Sequence, residues 1–170
     1  MKILYALLLA GCGYHAVHGH GAASEKLAVV LVSTNVTDVA ASDEVVAGVR
    51  EQLADADALA SGSGYPRCEV EVLRADEASQ GIAAERNPGG PLLPTARATD
   101  LGILARAWVV RTKDGPRERD TGDVRATSTV AVASDARAAT FQGLDALRAT
   151  ARQAGRRMGR RLLGLPSATE

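Results

Sequence analysis

All three histidines of the 170-residue chain fall in one short stretch, as His15-x-x-His18-x-His20. Neutral imidazole is a common ligand for zinc and copper, and this spacing brings three of them within reach of one ion. No Asp, Glu or Cys lies among them to complete a set, and Gly19 and Gly21 leave the backbone free to move. The more ordinary reading is a solvated segment without metal, so no metal site is expected. Gathering every histidine there also removes any Ser-His-Asp or Cys-His arrangement from the rest of the chain. Cys68 alternates with Val70 and Val72 and reads as a small buried apolar residue, not a nucleophile. No catalytic residue and no cofactor are expected, and an enzyme is the least supported class.

Anion binding is the chemistry the remaining polar residues could offer. Seventeen of the 20 basic residues are arginine, whose planar fork matches phosphate bidentately. Residues 12–100 carry 6 basic and 13 acidic groups, and residues 101–170 carry 13 and 7, so the two parts have net charges of −7 and +6. Such polarity can attract an anionic ligand to a chain that is neutral as a whole. One basic cluster comprises Arg106, Lys113, Arg117, Arg119 and Arg125. A second comprises Arg152, Arg156, Arg157, Arg160 and Arg161, on a helix whose C-terminal dipole they complement. Trp108, the only tryptophan, is expected on a sheet face that helices leave free, as a partner-interface residue or as a second-layer core residue under a loop. Zero net charge and 3% aromatic residues argue against a nucleic-acid binder.

The other cysteine has a different setting. Lys2 precedes an apolar run from Ile3 to Ala10 that is too short to span ~30 Å of hydrocarbon as a helix. That is the shape of a secretory signal peptide. Its end, Leu9-Ala10-Gly11-Cys12, resembles the lipobox of bacterial lipoproteins: small residues open the backbone to a peptidase, and the thiol is alkylated by diacylglycerol. Residues 1–11 are then the signal peptide and Cys12 the lipid attachment site, with acyl chains that together anchor stably. The mature chain, 12–170, carries 19 basic and 20 acidic residues. Gly13 stands where an aspartate would retain a lipoprotein at the inner membrane of enteric-type bacteria, so the outer membrane, periplasmic face, is expected.

The elements that must position these groups follow from periodicity. Residues 12–25, rich in Gly, Ala and His, read as a lipidated flexible tether. Leu27-Ala28-Val29-Val30-Leu31-Val32 is a strand apolar on both faces. Ser42 is placed to cap a helix over 43–59 with Val45, Val46, Val49, Leu53 and Ala56 on one stripe, ended by the glycines at 61–64. Cys68, Val70 and Val72 alternate with Glu69 and Glu71 as in a half-buried strand. Leu101, Ile103, Ala105, Ala107 and Val109 form one face of a second such strand, and Leu104, Arg106, Trp108 and Val110 the other. A third runs over 124–133. Ser134 is placed to cap a helix from 135 to 163 with Phe141, Leu144, Leu147, Ala151, Met158 and Leu162 as its apolar face. Gly155 and Gly159 imply a close approach of that helix to the sheet. Residues 76–100, containing Asn87-Pro88-Gly89-Gly90-Pro91, are expected to be a connection without regular structure. The order β-α-β-β-β-α gives an α+β two-layer sandwich: a four-stranded, mostly antiparallel sheet with two helices on one face. It forms a single domain over 26–165, with a tail at 166–170.

Gly11-Cys12-Gly13-Tyr14-His15, with this element order, resembles the lipopolysaccharide-assembly lipoprotein family, LptE. Aromatic-His directly after a lipobox is uncommon among lipoproteins. The stretch Leu31-Val32-Ser33-Thr34-Asn35-Val36-Thr37 is similar to the family's strand ending in Asn-x-Thr. The departure is the Pro/Gly-rich region around residues 87–94, where the family has a longer regular hairpin. The resemblance implies a protein without turnover. It sits in the lumen of a large outer-membrane β-barrel, an LptD-like lipopolysaccharide translocon, which it plugs and helps to assemble, and it binds lipopolysaccharide during insertion into the outer leaflet. Family glycolipid contacts lie on the sheet side, which points to Arg106, Arg117 and Arg119. Two alternatives share the anchor: an accessory of another envelope complex, and a metal-binding lipoprotein using His15, His18 and His20.

Overall fold

The computed structural model describes residues 25–86, 88–90, 92–131 and 135–166. Cys12, His15, His18 and His20 lie outside the described residues. The order is β1 (Ala28–Thr34), α1 (Val39–Asp55), β2 (Arg67–Arg86), β3 (Leu92–Val110), β4 (Val124–Ala131) and α2 (Ala136–Leu162). The four strands lie in sequence order across one sheet. β1 and β2 run parallel, joined by α1 as the crossover, while β2–β3 and β3–β4 are antiparallel. This is the expected α+β class and element order.

Both helices lie on one face. The alternation read at Cys68, Val70 and Val72 continues across the sheet through Ile103, Ala105, Ala107, Val109, Val124 and Ala126. That face meets Val45, Val49 and Leu53 of α1 and Ala151, Ala154, Met158 and Leu162 of α2, all fully or almost fully buried. Burying each valine, leucine, isoleucine or methionine of this set stabilises the fold by about 1.5–3 kcal/mol.

The helices run parallel and touch backbone to backbone. A Cβ on Gly155 would fall on the carbonyl oxygen of Val45, and one on Gly159 would lie 2.6 Å from Cβ of Gln52. The neighbour these glycines admit is therefore α1, not the sheet. Glutamate and arginine pairs brace the same seam from outside. Arg156 Nη2 donates to Glu51 Oε1 at 2.7 Å, and Arg152 reaches both Glu51 and Glu44.

Three boundaries differ from the sequence reading. α1 starts one turn before Ser42: Asp38 is the cap, its Oδ1 accepting from the backbone N–H of Ala40 at 2.9 Å. Ser42 is instead inside the helix, buried, with its hydroxyl 2.8 Å from that of Thr34. The helix also stops at Asp55, before the glycines, where Asp57 turns into the left-handed region at φ 52°. α2 is capped by Asp135, which accepts from Ala138 N–H at 2.8 Å.

The largest difference is at residues 76–100. Instead of an irregular connection, β2 and β3 form one long hairpin, paired from Arg67↔Val110 out to Arg86↔Leu92. Neither α1 nor β1 extends along its outer half. That half carries no apolar alternation to announce a strand, and the cross-strand backbone pairing that defines it leaves no mark in the sequence.

Candidate functional site

The candidate residues gather on the helix-free face of the sheet, at the end where β1 begins and β3 finishes. Period-two alternation sends Glu69, Glu71, Arg106 and Trp108 to this side because Cys68, Val70, Ala105 and Ala107 occupy the core side. Register then makes the pairs. Glu71 lies opposite Arg106 and Glu69 opposite Trp108.

Arg106 Nε donates to Glu71 Oε2 at 2.8 Å. That hydrogen bond, with the charge of Glu71, raises the pKa of the guanidinium. Trp108 Nε1 donates to Glu69 Oε2 at 3.0 Å, and Arg67 Nη2 donates to the other oxygen of the same carboxylate at 2.6 Å. Arg67 in turn lies 4.4 Å over the Tyr65 ring, and Arg117 lies 3.8 Å over the Trp108 ring. The result is a ladder of two aromatic rings, two guanidinium groups and one shared carboxylate. Beside it opens a hollow of about 180 Å³ lined by Tyr65, Arg67, Trp108, Asp114 and Arg117, among others.

The loop 111–123 closes the outer side. Glu118 exchanges two backbone hydrogen bonds with Val109, each 2.7 Å, and Thr121 N–H donates to Ala107 at 2.9 Å. The loop thus takes the place beside β3 that β4, starting at Val124, leaves empty. It brings Arg111 and Arg119 together on Glu25, at the start of the domain. Arg111 also donates to Glu118 at 2.8 Å, and this bond, with the charge of Glu25, raises its pKa.

Trp108 sits on the expected face but is only 2% exposed. What lies over it is the 111–123 loop, through Arg117. An interface role would require Arg117 and the loop to move aside. Arg106 and Arg119 are on the sheet side, each already holding a carboxylate. Among the described residues Arg117 forms no salt bridge; its recorded contact is the indole face.

The helical arginines are also engaged. Arg157 donates to the carbonyl oxygen of Arg125, Arg160 to that of Pro166 and Arg161 to that of Thr121. Part of the charge contrast between the two parts of the sequence is paired across the surface, acidic first half against basic second half: Glu71–Arg106, Asp76–Arg125, Glu44–Arg152 and Glu51–Arg156. Glu25, Tyr65, Arg67 and Glu69 were not singled out from sequence. The alternation around Cys68 gave the face of Glu69, but only the strand register supplies its partners.

Burial pushes the Cys68 thiol up to about 12, with Glu69 adding to the effect and Arg119 opposing it. It is inert packing, as read from its strand position. Among the described residues no group of three or more His, Cys, Asp or Glu is placed to hold a metal ion. No described helix is long and apolar enough to cross a membrane.

No family model and no curated protein matches the chain. Among solved structures, it is similar to a minor lipoprotein from Acinetobacter baumannii, 12% identical, covering 83% of this chain and 97% of that one at a TM-score of 0.48. It is also similar to rare lipoprotein B from Shewanella oneidensis, 11% identical, covering 77% and 89% at a TM-score of 0.43. Likeness at that level carries no function from those proteins to this one.

Proposed function

We propose that this chain is a lipoprotein of the outer membrane, held at the periplasmic face through acylated Cys12, and that it plugs and helps assemble a lipopolysaccharide-translocon β-barrel, binding lipopolysaccharide as it passes. The observation that carries the reading is Leu9-Ala10-Gly11-Cys12 at the end of a short apolar run behind Lys2. Gly13-Tyr14-His15 and the order β-α-β-β-β-α support the family.

The shape of the domain is compatible with that role. Arg111 and Arg119 hold Glu25 at one end of the sheet. The β2–β3 hairpin continues past the end of β1 at the other end, its β2 strand of twenty residues spanning roughly 65 Å in all at ~3.3 Å per residue. Polar groups cover its helix-free side: Arg74, Asp76 and Arg125 form one linked set, and Thr129 donates to Asp100 at 2.6 Å. A barrel lumen is itself polar, so such a surface can lie within it without burying unpaired apolar area. Arg117, with no carboxylate partner among the described residues, is the first choice for a lipopolysaccharide phosphate, with Arg106 and Arg119 beside it after exchange of their carboxylates. The role needs no turnover.

The test is purification of the Cys12-anchored protein from its native membranes in mild detergent. The reading expects a stable complex with a large outer-membrane barrel. Extracts that contain the barrel and the free chain side by side, with no complex, would contradict it.

A further inference from the structure

The distal half of the domain lacks a strand and a helix that the proximal half has. β1 pairs with β2 only as far as Thr34↔Val72, and the last backbone bond on that side is Asn35 N–H to Val72 oxygen at 3.0 Å. β2 continues to Arg86 with β3 on its other side alone. Bulges flank residues 74–81, yet within them the register with β3 is unbroken, Arg74↔Leu104 through Gly81↔Arg97. Seven of these eight residues are exposed, Asp76 being the exception. A regular strand edge of this length presents a row of backbone donors and acceptors ready to pair, and folded proteins ordinarily cover such an edge.

The helix layer is vacant at the same place. α1 begins opposite Arg148, whose Nε lies 4.0 Å from the carboxylate of Asp38, so the first three turns of α2 overhang it. The stripe of α2 that faces α1, through Arg148, Arg152 and Gly155, continues back to Leu144 and Phe141 at helical spacing. Without α1 to cover them these side chains are 37% and 59% exposed, although the sequence places them on the apolar face. Below them, a hollow of about 230 Å³ separates Glu77 and Leu101 of the sheet from Ala139 and Gly143 of α2.

We propose that the β2 edge over residues 74–81 is a strand-addition seat. An extended segment of a partner polypeptide, apolar at every second position, pairs its backbone with this edge and lays its apolar side chains against Phe141 and Leu144. The unpaired backbone selects an extended peptide, and the exposed α2 stripe selects the alternation. A second copy is a poor occupant. Its own 74–81 edge would offer Ala75, Glu77 and Ser79 to Phe141, and its β4 edge would add head to tail without closing. The proposal goes beyond the lipid-anchored role and stands without it.

The test is amide hydrogen exchange on the full chain in detergent, with two synthetic octapeptides of identical composition: valine alternating with lysine, and the same residues with the valines grouped. The seat predicts that the alternating peptide slows exchange at alternate amides of residues 74–81, and that the grouped peptide does so far less. Phe141→Asp and Leu144→Asp, both at exposed positions that leave the core intact, should each weaken the alternating peptide about tenfold. Exchange unchanged by either peptide, or slowed equally by both, overturns the seat. Protection already present without peptide at the outward-facing amides, those not bonded to β3, overturns the partner assignment: if it rises with protein concentration a second copy fills the edge, and if it vanishes on deleting residues 13–24 the tether does.

Discussion

Trp108 Nε1 donates a hydrogen bond to Glu69 Oε2 directly across the β2–β3 pair, at 3.0 Å, while Arg117 stacks over the face of the ring 3.8 Å from its centroid. The only tryptophan is thus tied down by the sheet and lidded by the loop. Arg117→Ala should open the ring to solvent. The expected readout is a red-shifted emission and stronger quenching by acrylamide, with a stability loss of about 0.5–1 kcal/mol. Emission and quenching equal to the parent would show that the loop, not Arg117, shields the indole.

Glu51 joins the helices through two arginines. Its hydrogen bond from Arg156, then that from Arg152, holds its carboxyl below the ordinary range. The folded state therefore binds that proton less readily than the unfolded chain, whose glutamate titrates near ~4.3. The contribution is present above that value and is lost as pH falls through the lower folded pKa. Urea midpoints measured against pH should show the parent losing stability on acidification faster than Glu51→Gln, the two curves converging at the acid end. Parallel curves would contradict the link.

Two glycines of α2 should respond with opposite signs to one substitution. Gly155→Ala drives a Cβ into the backbone of α1 at Val45, a rigid neighbour, and should cost about 1–3 kcal/mol. Gly143→Ala meets nothing within 4 Å and should stabilise by about 0.5–1 kcal/mol through helix propensity. Thermal midpoints of both variants check this; a Gly155→Ala variant as stable as the parent would mean the helices are not in contact where described.

Cys68 should be silent chemically. Burial holds the thiol up to about 12, so at pH 8 almost no thiolate exists in the folded chain. A maleimide reagent should fail to label it in buffer and label it fully in urea. Labelling of the native protein at the unfolded rate would contradict the buried strand position.

These contacts bear on how much of the molecule is legible in its sequence. Period-two alternation at Cys68, Val70 and Val72 and at Ile103 to Val109 gives the core face and, by exclusion, the face of Glu69, Arg106 and Trp108, because a half-buried strand writes its burial into its residues. The outer half of the hairpin writes nothing comparable. With both faces uncovered, residues 74–81 need no apolar alternation, and Pro88-Gly89-Gly90 reads as a break when it is a turn. Ser42 and Asp38 are both good caps; which one serves depends on Ala41 and Ser42 being buried against the sheet, a tertiary fact. Phe141 and Leu144 have helical periodicity, yet the helix they would meet starts too late to cover them. The arginines show their chemistry in sequence but not their partners, since Glu71 meets Arg106 across 35 residues of chain only through strand register.

Acylation of Cys12 underlies the proposed role, and the direct measurement is mass spectrometry of the mature protein isolated from its host after feeding a labelled fatty acid. The prediction is a chain that begins at Cys12, lacks residues 1–11 and carries labelled acyl groups on that residue. An unlabelled chain that still begins at Met1 would contradict the account.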